Sequence, residues 1–500
     1  MNRQTMIRRD CMLAVFAAAL AGCAFAPLSN PRAPTSSGRY AAEAAPDTTV
    51  QAAGTAQHFD AGAQPVPQWW QLYGSDTLDS WVEEGLRNNP SLDAVRHTLE
   101  AAHQQFRAQV GGTTLPSIDA GGQVSRQRAL GLPDIGPPTN LYNVYAGELS
   151  LSYTFDLFGA VRYGVRQAAA QVDLQWYEFT AARRALAANI VIGAVNASAL
   201  AEALTINERL AQLAHEQAEL TEKAYRSGSA SHDAVLAAQQ SAAALDASLP
   251  SLRSQALRAR HALAVLMGRT PDRAPLPLPL SRLQLPAEVP LSVPSDLLRQ
   301  RPDVLAAEAS VHAAAAQVGV ATANLFPRIS LSASYGSASF NSASLFTGPA
   351  TVWSAGASLA QPIFRGGALL AQRKAAVANY DASVAQYQQT VLNAFQNVAD
   401  SLTALNQDAL ALQAAQVASA AARASFTEND SRYRLGAVSY PMTVASEQRW
   451  QSATLSEIQD TASRLIDTAA LFQAMGTLPE AAPTQKSPAP PSAAPAIADQ

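Results

Sequence analysis

Two tetrapeptides set the frame: Tyr225-Arg226-Ser227-Gly228 and Tyr433-Arg434-Leu435-Gly436. Each interrupts an alanine-rich, proline-free segment, from Pro138 to Pro250 and from Pro362 to Pro441, and so reads as a sharp turn between two very long helices. Glycine suits such a turn because, lacking Cβ, it accepts positive φ just past a helix C-cap, while Pro441 suits the first turn of the helix that follows. Gly228 and Gly436 stand 208 residues apart, and Met267-Gly268 and Met475-Gly476 repeat that spacing. Pro116 and Pro327 differ by 211, and Phe158-Gly159 aligns with Phe364-Arg365-Gly366 at an offset near 206. Half of the chain is thus a copy of the other half, one architecture built twice rather than a short-period solenoid.

Composition narrows the class. Charged residues make up 15% and hydrophobic residues 48% of the 500, against about a quarter charged in ordinary soluble domains. The surface is therefore clad in Ala, Ser, Gln and Asn. A net charge of −4 with no basic run argues against nucleic acid as a partner, since nothing could neutralise phosphates.

Residues 1–22 read as an export signal: Arg3, Arg8 and Arg9 precede an apolar stretch from Cys11 to Leu20. Leu20-Ala21-Gly22-Cys23 resembles the lipobox of bacterial lipoproteins, and the resemblance implies that Cys23 becomes the first mature residue and carries lipid; the alternative is an ordinary signal peptide with a chance cysteine. Cys11 would leave with the signal, so no disulfide can form. Ala24 stands where an aspartate typically retains such lipoproteins in the inner membrane, which favours the outer membrane. Residues 23–67 are rich in Pro, Ala, Ser and Thr and read as a tether. No later stretch shows the 18 or so apolar residues of a transmembrane helix, so any crossing would be made by strands.

Strand periodicity occurs once per repeat. Between Leu115-Pro116 and Phe158-Gly159, Leu149, Leu151, Tyr153 and Phe155 alternate with Glu148, Ser150, Ser152 and Thr154. In the second repeat Ile329, Leu331, Ala333 and Tyr335, then Trp353, Ala355, Ala357 and Leu359, alternate mostly with Ser and Gly. This fits strands of about 10 residues that are apolar toward lipid and polar toward a lumen, or else an amphipathic hairpin on a soluble core. Two hairpins give four strands, too few to close a membrane barrel. A dimer would supply eight and a trimer twelve; a conduit favours twelve, because an eight-stranded barrel is filled by its own side chains. A helix from Gly366 to about Arg432 would run ~100 Å, and Leu370, Val377, Val384, Val391, Val398, Leu405 and Leu412 recur along it at every seventh position. Val165, Val172, Phe179, Leu186 and Leu200 form the same train in the first repeat, broken at Gly193.

A further set of motifs carries a family resemblance. Pro67-Gln68-Trp69-Trp70, Leu78, Asn88-Asn89-Pro90-Ser91-Leu92, Ala94, Ala101-Ala102 and Leu115-Pro116 open the first repeat. Pro294-Ser295-Asp296-Leu297-Leu298, Arg301-Pro302-Asp303-Val304, Ala307-Glu308 and Asn324-Leu325-Phe326-Pro327 open the second. Together with the tip motifs, this series resembles the outer-membrane factors of the TolC, OprM and NodT type over most of Trp69 to Met475. The resemblance implies an α+β membrane protein: a homotrimeric 12-stranded β-barrel, four strands per chain, continued by a long α-helical barrel. It implies residues 68–270 and 294–477 as two repeats, with hairpins at about 117–157 and 328–364 and long helices at about 160–268 and 366–476. Residues 271–293 are a proline-rich connector, and 478–500 a disordered tail of Ala, Pro and Ser.

No catalytic chemistry is legible. His58, His97, His103, His215, His232, His261 and His312 lack metal-ligand spacing, and no phosphate-binding loop or nucleophile elbow occurs. Glu428 and Asp430 read as a solvated helix face. No enzyme and no cofactor is inferred. By resemblance the chain is the passive exit duct of a tripartite efflux system, partnered by a periplasmic membrane-fusion adaptor, an inner-membrane pump and outer-membrane lipid. Its tips, with Tyr225, Gly228, Tyr433, Arg434 and Gly436, would form the periplasmic entrance and adaptor contact. Family members often carry an acid shortly after the second glycine; here Ala437-Val438-Ser439 follow, leaving Asp233 either as a substitute or as a first-turn helix residue. Two alternatives remain open: an exit duct for type I protein secretion, and a periplasmic coiled-coil lipoprotein that forms no channel.

Overall fold

A computed structural model describes residues 31–34, 40, 47–63, 66–132 and 135–476. The signal segment 1–22, Cys23 and the tail 478–500 lie outside the described residues. The described chain begins its regular structure with β1 (His58–Ala61), followed by α1 (Asp76–Asn88), α2 (Pro90–Thr114), β2 (Ser117–Leu132), β3 (Ile135–Phe155), α3 (Ala160–Arg226) and α4 (His232–Leu266). After the connector, which holds β4 (Glu288–Leu291), the second repeat runs through α5 (Pro294–Gln300), α6 (Pro302–Ala323), β5 (Arg328–Ser339), β6 (Thr351–Ala360), α7 (Ala368–Arg434) and α8 (Tyr440–Met475). The itinerary is the same twice, helix pair, hairpin, long helix and return helix.

The repeats share their joints as well as their order. Asn89 caps α2, its Oδ1 accepting from the amides of Ser91 and Leu92, and its Nδ2 donates to the Leu266 carbonyl at the end of α4, 2.9 Å away. In the second repeat Arg301 takes that place, donating from Nη1 to the Ala474 carbonyl at 2.9 Å while Nε and Nη2 hold Asp303. The motif residues around Pro90 and Pro302 thus tie the start of one helix to the end of another. Gly268 and Gly476 complete each joint, both at φ +76°, with the Asn88 and Gln300 carbonyl oxygens 2.4 and 2.7 Å from where a Cβ would lie. Any larger residue would push the joint apart.

α3 and α7 each contain 67 residues, ~100 Å of helix, as the absence of proline and the heptads lead one to expect. The heptad residues Val391, Val398, Leu405 and Leu412 are buried, Val377 and Val384 half-buried, and Leu370 is exposed near the sheet. α3 packs against α2, α4, α6 and α8, whereas α7 packs against α6 and α8. Pro250 sits inside α4, which continues through it. Trp69, Trp70 and Tyr73 anchor the mid-height core: Trp69 stacks on Phe472 at 5.2 Å, and the buried Tyr73 hydroxyl donates to the Leu465 carbonyl at 2.7 Å.

Three expectations need correction. First, the tether ends sooner than composition suggests: residues 47–63 fold as a strap in which β1 pairs in parallel with β4, His58 opposite Glu288 and Ala61 opposite Leu291. The reason is Arg464 on α8, 1% exposed, whose guanidinium donates to Gln57 Oε1, the Ala52 and Thr55 carbonyls and Thr49 Oγ1 at 3.0–3.3 Å. A buried cation must be surrounded by acceptors, and the strap provides them. Second, the first hairpin is longer than 10 residues per strand, with 16 in β2 and 21 in β3, against 12 and 10 in the second. Third, α3 and α6 do contain 18-residue windows apolar enough to cross a membrane. Their Ala, Val and Ile serve helix packing, since α6 is wedged between α3 and α7.

Replacing Arg464 by alanine removes the four hydrogen bonds that fasten the strap to α8, leaving the Ala52, Thr55 and Thr49 oxygens only their donors within the strap. The expected loss is about 2–3 kcal/mol, of the order for hydrogen bonds to a charged group. It would be read as a lower denaturation midpoint of the detergent-purified protein, with new protease cuts within residues 47–63.

Candidate functional site

The four long strands form one antiparallel sheet in the order β2-β3-β5-β6. Leu149 lies opposite Ala120 and Tyr335, Leu151 opposite Ile118 and Ala333, and Tyr335 opposite Trp353, so every apolar position picked out by the alternation falls on one face. That face is uncovered: Ile118, Leu149, Tyr335, Trp353 and Leu359 are exposed, Trp353 at 74% and Leu359 at 68%. The other face carries Ser and Thr rows, joined across strands by hydroxyl bonds between Ser117 and Ser152 (2.8 Å), Thr154 and Ser330 (3.3 Å), and Ser334 and Ser354 (3.0 Å). Asp119 and Glu148 belong to this polar face, and Gly336 opposite Glu148 leaves room for the glutamate. Such a sheet is apolar where an ordinary protein meets water and polar where it could line a pore. Among the described residues, the outer strands β2 and β6 pair on one side alone.

Both hairpins enter their long helices through a glycine at positive φ. Gly159 (+86°) and Gly367 (+80°) are 208 residues apart, so Gly367, rather than the expected Gly366, is the counterpart of Gly159. Phe158 and Phe326 stack at 4.9 Å where the strands meet the helices.

At the far end the two tips are built alike. Gly228 (φ +78°) and Gly436 (φ +75°) follow the caps of α3 and α7, with the amides of Gly228 and Ser229 donating to the carbonyls of Tyr225 and Ala224. Gly436 and Ala437 donate likewise to Tyr433 and Arg432, so both ends are Schellman turns and both glycines are demanded by conformation. Tyr225 lies against His232 (5.4 Å between rings) and Tyr433 against Tyr440 (5.2 Å), while Arg434 pairs with Asp430 at 2.7 Å. Asp233 is a first-turn residue of α4, whose cap is Ser231. Ties between the two repeats near their tips were not legible in the sequence: Tyr440 Oη donates to Glu216 at 3.1 Å, and Arg209 holds Glu447 at 2.7 Å. These partners are more than 220 residues apart and carry no local pattern.

The model of the family described as outer membrane efflux protein matches residues 81–269 and 293–477, once per repeat. The pyoverdine export outer membrane protein OpmQ of Pseudomonas aeruginosa is 30% identical over 83% of this chain and 88% of its own. The probable efflux pump outer membrane protein TtgC of Pseudomonas putida is 31% identical over 93% and 94%. Among solved structures, the outer-membrane channel OprN superposes with a TM-score of 0.75 at 26% identity, covering 87% of this chain and 98% of that one. The chain belongs to the outer membrane efflux protein family. It is an outer-membrane channel of tripartite efflux pumps, and the family is one of transport ducts rather than enzymes.

In this outer membrane efflux protein the second repeat also holds a polar cluster at mid-height. Asp408 of α7 faces Asp460, Arg464 and Asp467 of α8, and its buried Oδ2 has no donor within reach among the described residues. Burial, then the hydrogen bond and charge of Asp467, then the charge of Asp460, push the Asp408 carboxyl up to about 7, against the pull of Arg464. A protonated Asp408 carboxyl is neutral, which avoids the cost of a buried anion beside two further acids. Because the folded-state value lies above the unfolded one, the stabilisation is fully present below about pH 4 and is lost as pH rises through about 7. The melting midpoint of the wild type should therefore fall between pH 5 and 8 more steeply than that of Asp408→Asn; parallel pH profiles would remove Asp408 as the cause.

Proposed function

We propose that three copies of the chain close into a 12-stranded barrel and a continuous helical tunnel, anchored through lipidated Cys23 in the outer membrane. One observation carries this reading. Among the described residues, α3 of the first repeat has neighbours from the second repeat, α6 and α8, whereas α7 has no comparable packing against α2 and α4. The sheet repeats the pattern: β3 of the first hairpin pairs with β5 of the second, and β6 is left without the β2 that would continue the series. Placing the next copy's β2 beside β6 and its α2 and α4 beside α7 satisfies both needs with one contact. Exposed Leu236, Leu257 and Val265 on α4, and Leu370, Leu392, Leu410 and Val417 on α7, supply apolar surface for it. Twelve strands are the smallest multiple of four above the side-chain-filled eight.

The apolar face then meets lipid, and the Ser rows with Asp119 and Glu148 line the lumen. Small polar cargo-facing side chains bind nothing tightly, as passive transit requires. The tips with Tyr225, Gly228, Tyr433, Arg434 and Gly436 form the periplasmic entrance and the contact with the adaptor, through which an inner-membrane pump delivers small molecules and supplies the energy.

Adjacent residues on β3 provide the test. Glu148→Lys should leave an inserted, heat-modifiable trimer whose planar-bilayer current shifts toward anions. Leu149→Lys should block insertion, at a cost of ~2–4 kcal/mol per copy near the bilayer centre. Equal insertion of both variants would reject the assignment of faces. For the tip, Gly436→Val forces positive φ on a β-branched residue, costing ~1–2 kcal/mol with no neighbouring atom in the way. It should raise the drug sensitivity of a host that depends on this channel, and unchanged resistance at equal protein level would reject the tip as entrance.

A further inference from the structure

The apolar face of the sheet ends in a pair of arginines. Along β2, Ile118, Ala120, Val124, Arg126 and Arg128 share one parity, and the register places Arg126 opposite Asn143 and Arg128 opposite Leu141 on that same face. From Phe155 to Tyr145 the strand advances 10 residues, ~34 Å along its length and ~25 Å in height once tilted, which is the thickness of a barrel's apolar band. Val124 opposite Tyr145 is the last apolar pair before the arginines, and the Arg126 level is the next beyond it. Tyr145 stands at that boundary, as the aromatic residues of an interfacial girdle do.

β5 ends at Ser339 opposite Tyr145, so beyond this level the β2–β3 hairpin projects without a sheet neighbour inside the chain. Both arginines are exposed, and no carboxylate stands among the described residues of this face on any of the four strands. Two guanidinium groups two residues apart on one strand face sit ~7 Å apart at their roots, at the depth where lipid phosphates lie. Arginine's planar donor fork suits phosphate oxygens.

We propose that Arg126 and Arg128 form a docking site for a phosphorylated headgroup of an outer-leaflet glycolipid. This rests on the barrel reading above. The occupant is a lipid rather than a soluble anion, because the arginines point the way of the apolar face and not into the lumen. Bound lipid would hold the projecting hairpin against the membrane surface and fix the depth of the barrel.

The test compares the full-length wild-type channel with the Arg126→Gln/Arg128→Gln variant by native mass spectrometry, after detergent exchange with lipid A bearing both phosphates or with its dephosphorylated form. Wild type should retain the phosphorylated lipid roughly 25-fold better than the variant, about a factor of five for each arginine near an anionic surface. The two proteins should retain the dephosphorylated lipid equally and conduct equally in planar bilayers. Equal retention of phosphorylated lipid by two conducting channels would overturn this site alone, whereas a wild-type protein that neither inserts nor conducts would overturn the barrel reading first and the site with it.

Discussion

Hydrocarbon offers no hydrogen bonds, so a strand edge exposed to it leaves amide and carbonyl groups that cost several kcal/mol each. With the sheet in the membrane as proposed, β2 and β6 are such edges, and among the described residues no further strand covers them. The same side of the molecule shows a long helix, α7, with fewer neighbours than its counterpart α3. Two deficits of different kinds thus coincide along one line, from the sheet through the helices. In the proposed ring, a neighbouring copy set down by the operation that already relates the two repeats covers β6 and α7 together, and the copy on the other side covers β2. Duplication makes the proposed ring economical: the contact between repeats inside the chain would be the template for the contact between chains.

Much of this was legible because it is periodic. Seven-residue spacing over some 45 residues from Leu370 to Leu412 leaves little but a long supercoiled helix, and two-residue alternation in Leu149, Leu151, Tyr153 and Phe155 leaves little but a strand with two unlike faces. The tip glycines were legible because positive φ is a requirement few residues meet, and both proved to close Schellman turns. Aperiodic contacts were not legible. The strap at residues 47–63 looks like a linker because its partner, Arg464, is some 400 residues away, and a lone arginine on an otherwise mixed helix gives no sign that it is buried. The tie from Tyr440 to Glu216 was hidden for the same reason. The length of β2 and β3 escaped notice because Arg126, Gln127 and Arg128 interrupt the apolar alternation while the ladder continues through them.

Where the repeats differ, the difference is chemical and local. With the repeat offset of 208, Arg464 corresponds to Ala256, Asp408 to Leu200, Asp460 to Leu252 and Asp467 to Ala259. The first repeat fills this level with aliphatic side chains; the second replaces them with three acids and an arginine under the strap. A well-packed apolar cluster is usually at least as stable as a buried polar one, so stability alone does not account for the exchange. Choice of partner does. The strap has backbone carbonyls and hydroxyls to offer, and only the second repeat has the buried donor to receive them. The N-terminal segment is thereby directed to one of two nearly identical surfaces. In the proposed ring of three chains that choice would turn six similar helix pairs into two alternating sets, and the pull of the proposed lipid anchor would reach every second pair.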